Sequence, residues 1–225
     1  MEDFIQWQKD MSGIYDKFRR LSKEVPLKGL ENTIPENTAG YYLVFRLPSE
    51  MKQYLAKISE EISRTTPATI YSPELLHTTL SDFGIEPLDG FSLSSSRLSS
   101  VEEAVNERIK SHKPQRIRLG EILYNNGSVI VEGVSTGSHF YDLAKEVIEG
   151  CKQKGINLRF PWGNHITISR FLEERSPEQI KDFLRLMKSL NRLDSEIILD
   201  ELELGSFRYE GPNLTQTSYT SFNLS

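Results

Sequence analysis

Four histidines stand in the chain, His77, His112, His139 and His165, and two of them share one local pattern. His77-Thr78-Thr79-Leu80 and His165-Ile166-Thr167-Ile168 both read histidine, any residue, threonine, aliphatic. Taken singly, each histidine is an ordinary core or surface residue. Given the threonine content, chance puts Thr at the second position after two of four histidines in roughly 2% of cases, and adds the aliphatic in roughly 0.2%. The residue types suit attack on a phosphodiester. A neutral imidazole can take a proton from water or a ribose hydroxyl, and a protonated one can give a proton to the leaving oxygen. Histidine titrates near neutrality, so one residue type fills both roles. Two threonine hydroxyls can donate to the non-bridging oxygens as charge builds there. Zinc would need a third or fourth ligand, and no His-Glu-x-x-His or acid-rich helical spacing supplies one.

Both motifs lie in segments that read as strands, one in each half of the chain. Side chains alternate with period two along a strand. His77 and Thr79 then share one face, with Thr78 and Leu80 on the other. His165, Thr167 and Ser169 likewise share a face, opposite Ile166 and Ile168. The aliphatic faces pack on helices and the polar faces line a cleft.

The surrounding elements follow from pattern. Residues 2–24 form a helix, with Phe4, Ile5, Trp7, Met11, Ile14, Tyr15, Phe18 and Leu21 near helical spacing. Pro26 and the stretch 29–40 end it in a linker or surface loop. Strands are expected at 41–47, 75–81, 115–123, 128–134, 165–171, 196–204 and 217–224, and helices from Pro48-Ser49-Glu50 to about 64 and over 97–111. Asn125-Asn126-Gly127 marks a hairpin. Ser138 is expected to cap a helix running to about 154, and Ser176-Pro177 to open one running to about 190. The order, β-α-β-α-β-β-α-β-α-β-β after the first helix, indicates an α+β fold with helices covering one face. The stretches 41–111 and 115–190 are each strand-helix-strand-helix in outline, which suggests an internal duplication. Residues 1–39 are then an N-terminal helical extension and linker, and 40–225 one domain of two pseudo-symmetric lobes.

Composition limits the possibilities. With 27 basic and 32 acidic residues the net charge is -5, which argues against a grip on long duplex nucleic acid through its phosphates. The single cysteine, Cys151, permits no internal disulfide and no Cys-rich zinc site. No secretory signal and no apolar stretch of about 18–20 residues is visible, so a cytoplasmic location and no membrane contact are expected.

The paired motifs resemble the signature of the 2H phosphoesterase superfamily, the RNA ligase-like cyclic phosphodiesterases. The strand 41–47 before a Pro-started helix, and Arg170 just after the second motif, are similar as well, and the likeness spans about 40–224. The resemblance implies a bilobed, duplicated α+β fold, with two antiparallel-rich sheets covered by helices around a central cleft. It implies metal-free, cofactor-free cleavage of 2′,3′-cyclic or 3′–5′ phosphodiesters in RNA ends or small nucleotides. Carried over residue by residue, His77, Thr79, His165 and Thr167 inherit the catalytic roles. The N-terminal helix lies outside it.

Secondary candidates are weaker. Arg116 and Arg118, on one face of a strand in the basic stretch 108–118, could meet substrate phosphate. Trp162, in the turn Phe160-Pro161-Trp162-Gly163, and Tyr42 on the first strand could stack on a base. Ser169 could join the polar face. His139, near a helix start, reads as structural, and the acidic run 194–203 as a solvated edge. The expected partner is a small nucleotide or an RNA 3′ end, bound by a monomer. Three other functions fit the same residues: a hydrolase of cyclic (oligo)nucleotide signals, a nucleotide-binding module without turnover, and an RNA ligase using the same groups in the opposite direction.

Overall fold

The computed structural model describes residues 2–89, 91–92, 94–190, 192–211 and 213–224. The chain opens with α1 (Glu2–Ser22) and a single turn, α2 (Val25–Lys28). Then follow β1 (Thr38–Arg46), α3 (Ser49–Thr65), β2 (His77–Asp82), a short β3 (Glu86–Pro87) and α4 (Ser95–Ile109). The second lobe holds β4 (Gln115–Tyr124), β5 (Ser128–Ser135), α5 (His139–Gln153), β6 (Ile166–Arg170) and α6 (Lys181–Ser189). β7 (Ser195–Leu199), β8 (Glu201–Glu210) and β9 (Asn213–Asn223) close the chain.

All the pairings are antiparallel, and the strands run in the order β7-β4-β5-β6-β2-β1-β8-β9, with β3 beside β1. The two expected sheets are therefore one continuous sheet. Four strands on each side meet at a seam between β6 and β2, joined through the pair Thr78–Ile166. The duplication is visible in the order β1-α3-β2-α4 and β5-α5-β6-α6. Helices cross the seam: α3 packs against β6 and α5 against β2. This locks the two lobes together.

Local chemistry explains most elements. The Asn125 side-chain oxygen accepts from the Gly127 and Ser128 N–H groups, each at 2.8 Å, and this Asx turn makes the β4–β5 hairpin. Ser138 departs from expectation: its side chain makes no cap, and its carbonyl takes the Asp142 N–H at 2.8 Å. The helix after Ser176 begins as a 3₁₀ turn, Pro177–Ile180, in which the Gln179 side chain accepts from the Ser176 N–H at 2.9 Å. The largest difference lies at the C-terminal end. The expected strand 196–204 breaks at Asp200 into β7 and β8, on opposite halves of the sheet. Within the acidic run Glu203 is buried and paired with Arg46. A local pattern cannot reveal that a strand changes lobes, because both halves keep the same apolar alternation.

Thr78, Leu80, Ile166 and Ile168 have no exposed surface and face the helix-covered core, where each aliphatic contributes about 1.5–3 kcal/mol by leaving water. The Thr78 hydroxyl has no hydrogen-bond partner among the described residues. Thr78→Val, which removes that buried hydroxyl, should therefore raise stability by about 1 kcal/mol. The check is the denaturant midpoint at unchanged slope.

Candidate active site

On the face of the sheet opposite this core layer lies a cavity of about 610 Å³. His77, Thr79, His165 and Thr167 all line it, as do Tyr42 and Trp162. The seam explains the arrangement. Extending the Thr78–Ile166 pair by one residue each way sets His77 across from Thr167 and Thr79 across from His165. The pseudo-twofold axis thus passes between the two motifs.

Both strands then depart from simple alternation at the same place. In β2, Thr79 pairs with Val44 but Ser81 with Leu43, so Leu80 is an inserted residue. In β6, Thr167 pairs with Ile130 but Ser169 with Val129, so Ile168 is inserted. These bulges shift the facing side by one residue. Asp82 and Arg170 line the cavity. Ser81 and Ser169, which alternation would aim there, are fully buried, and their hydroxyls go to the carbonyls of Arg159 (2.7 Å) and Thr69 (3.4 Å). Ser169 is thus outside the expected site. Arg116 and Arg118 are outside it too. They are exposed on β4, two strands or roughly 10 Å from β6, and Arg116 is paired with Glu196 at 2.7 Å.

The two histidines are held differently. The Nδ1 of His77 lies 2.7 Å from the carbonyl of Leu75, two residues upstream. A carbonyl only accepts, so Nδ1 carries the proton and the other ring nitrogen, Nε2, is left with its lone pair. The buried Nδ1 of His165, by contrast, has no hydrogen-bond partner among the described residues. Each imidazole also carries an aromatic plate. Tyr42 stacks on His77 with centroids 5.8 Å apart, and Trp162 on His165 at 3.7 Å and 18°. Tyr42 is almost fully buried, and its hydroxyl lies 3.3 Å from a Glu203 carboxylate oxygen.

Charge differs between the lobes. Beside His77, Arg46 is neutralised by Glu203. Beside His165, the Arg170 guanidinium lies against the hydroxyls of Tyr71 and Tyr209, themselves 3.4 Å apart. Among the described residues no carboxylate forms an ion pair with it, and its Nε has no partner. Burial first, then Arg46, pushes His77 down to about 4 against the pull of the Leu75 carbonyl and Glu203. Burial, then the neighbouring His77 and Arg170, pushes His165 down to about 3. Both rings are neutral at pH 7 in the free protein. No three His, Cys, Asp or Glu side chains cluster as a metal site among the described residues, and no described helix is long and apolar enough to cross a membrane.

The sequence pattern did not single out Tyr71, Tyr209, Gln216 or Arg159, all of which line the cavity. No local signal marks the tyrosines, which come from loop and strand positions far apart in the chain. Arg170, which the resemblance already marked just after the second motif, reaches the cavity because β6 is bulged.

No protein-family model and no curated protein matches the sequence. Solved structures do match the fold. E. coli LigT, solved in complex with 3′-AMP, aligns at TM-score 0.58 and 12% identity, over 84% of this chain and 99% of LigT. TT0787 of Thermus thermophilus aligns at TM-score 0.59 and 15% identity, over 82% of this chain and 97% of that one. A structure described as a phosphoesterase aligns at TM-score 0.54 and 14% identity, over 83% and 98%. At these identities the likeness is one of fold: the chain shares its α+β fold with these three structures.

A bound anion should raise both histidine pKa values, so anion binding at pH 5–6 should take up protons. Calorimetry with sulfate in buffers of different ionisation enthalpy should read this uptake, and it should vanish in the His77→Ala/His165→Ala double variant. Arg170→Gln should weaken sulfate binding roughly tenfold to a hundredfold, the range of a lost charged hydrogen bond.

Proposed function

We propose that the chain is a 2H-type phosphodiesterase acting on a 2′,3′-cyclic phosphate or a 3′–5′ phosphodiester of RNA ends or small nucleotides. Residues 40–225 form its catalytic domain and 1–39 an addition to it. The observation that carries this reading is the meeting of the two His-x-Thr motifs across one seam, in one cavity, beside a guanidinium that no carboxylate among the described residues pairs with. The cavity volume falls within the range of small-ligand sites, and its aromatic walls, Tyr42, Phe207, Phe160 and Trp162, offer faces to a base. The net charge of -5 favours a small substrate over a long polyanion. A cytoplasmic monomer needing no cofactor completes the reading.

In this mechanism Arg170, Tyr71 and Tyr209 hold the phosphate. Thr79 and Thr167 donate to its non-bridging oxygens, where charge grows in the transition state. Of the two rings His165 is pushed further down, with Arg170 beside it, so His77 is the one that takes the shared proton first. His165 is therefore the base and His77 the acid. Nε2 of His165 takes the proton of the attacking water or ribose hydroxyl as the new P–O bond forms. The leaving oxygen takes the proton on Nε2 of His77 as its bond to phosphorus breaks. Each such transfer contributes about 10²–10⁴-fold.

The decisive assay is a panel of 2′,3′-cyclic mononucleotides, short RNAs with cyclic ends and cyclic dinucleotides, with EDTA present. Turnover should persist in EDTA and fall by about 10²–10⁴-fold in His77→Ala and in His165→Ala. A p-nitrophenyl phosphodiester, whose leaving group needs no proton, should restore much of the rate to His77→Ala and little to His165→Ala. Ligand bound but left unchanged by wild type and variants alike would assign the site to a binding module instead.

The pH profile follows from the shifts. The productive form carries one proton on the pair, and above the higher free pKa its fraction falls about tenfold per pH unit. kcat/KM should therefore fall with rising pH from about pH 4 upward. The falling limb of kcat should lie at higher pH, because the bound phosphodiester anion raises both histidines. A kcat/KM that climbs steadily from pH 5 to 8 would sink the two-histidine scheme.

A further inference from the structure

The N-terminal helix carries neither motif, yet a stripe of it touches every residue of the turn that delivers His165. Trp7, Met11 and Tyr15 recur at every fourth position and are the buried residues of α1. The Trp7 Nε1–H donates to the Pro161 carbonyl at 2.8 Å, and its ring meets Phe160 edge-on at 6.4 Å. Met11 lies on the bare face of Gly163, where a Cβ would come within 2.8 Å of its Cγ. The Tyr15 ring meets Trp162 edge-on at 6.0 Å. The Tyr15 hydroxyl donates to the Gly133 carbonyl at 2.9 Å and lies 3.3 Å from the Gly133 N–H. Gly133 in turn packs on the Asn164 carbonyl, which would stand 2.0 Å from a Cβ there. Arg19, one turn further along α1, pairs with Glu121 and Glu132 at 2.7 Å each and fixes the helix on the β4–β5 hairpin.

The segment 160–165 needs such support. It belongs to no helix or strand, and it runs from the Arg159–Asp82 bridge to the start of β6. Trp162 then rests on His165 at 3.7 Å, so any shift of the turn moves the half-buried imidazole and its plate together. We propose that α1 is a positioning element of the active site: the Trp7–Met11–Tyr15 stripe grips the 160–163 turn and thereby fixes the aim of His165. The proposal rests on the reading of His165 as a catalytic residue. Met11 and Tyr15 are positioning residues, since they reach the reaction only through Trp162 and the turn. The other charged or titratable groups facing His165 are His77 and Arg170, both from the sheet.

The test uses the full chain and its two tryptophans. Trp7→Phe leaves Trp162 as the sole indole; it also removes the Trp7–Pro161 hydrogen bond, so it is the reference from which further shifts are read, and a protonated imidazole in contact quenches indole emission. In that background Trp162 emission should titrate with His165, far below the ordinary histidine pKa of about 6.5. Adding Met11→Ala or Tyr15→Phe should move that midpoint upward, as the turn loosens and water reaches the ring. In the otherwise native chain the same substitutions should lower kcat about tenfold to a hundredfold with little change in KM, the scale on which a displacement near 1 Å acts. Met11→Leu should restore the rate. Tyr15→Phe keeps the ring volume, so it decides the matter if Met11→Ala does not fold. Folded Met11→Ala and Tyr15→Phe proteins with wild-type kcat and an unmoved Trp162 titration would overturn the proposal. Full activity of His165→Ala would instead overturn the catalytic reading, and the fluorescence titration would still report whether α1 holds Trp162 on His165.

Discussion

The antiparallel contact of β2 with β6 is the constraint on which everything else depends. One residue pair, Thr78 with Ile166, joins the two lobes into one sheet. Because facing residues in an antiparallel pair run in opposite directions, that single register sets each histidine opposite the other motif's threonine. A slip of one residue would turn the slipped strand's motif toward the core and expose its aliphatic, Leu80 or Ile168. The register is protected by that cost, and by α3 and α5, each of which packs against the other lobe's motif strand.

The cavity combines groups that burial makes expensive to charge. Two imidazoles are pushed down by the loss of water, while Arg170 stays charged with no carboxylate paired to it among the described residues and leans on two phenol hydroxyls. Such a site is poised for an anion, since a phosphate diester would compensate Arg170 and raise both histidines in one step. The lobes are related in backbone but not in charge. Asp82 occupies in β2 the place Arg170 occupies in β6, and it is held at 2.5 Å by Arg159. In the proposed mechanism that asymmetry would let two like motifs divide the work of acid and base.

Much of this was legible in the chain. The paired motifs, the strand faces of His77, Thr79, His165 and Thr167, the hairpin at Asn125 and the helix-covered α+β arrangement all follow from spacing and turn chemistry. Ser169 was misplaced because period-two counting cannot see a bulge, which depends on what the partner strand presents. Arg116 and Arg118 share a strand face, yet which neighbours separate that strand from the motifs is a matter of sheet order. Glu203 looked like part of a solvated edge because nothing local announces that Arg46, 157 positions away, will meet it.

The sequence by itself therefore determined the chemistry on offer and its side of each strand, because residue type and alternation are local properties. Tertiary structure alone decided that the two motifs face each other, that Arg170 and two tyrosines complete the cavity, and that α1 lies against the turn before His165. The physical reason is that pairing register, bulges and helix docking are set by contacts between segments far apart in the chain. Their energies, small one by one, are summed only in the folded molecule.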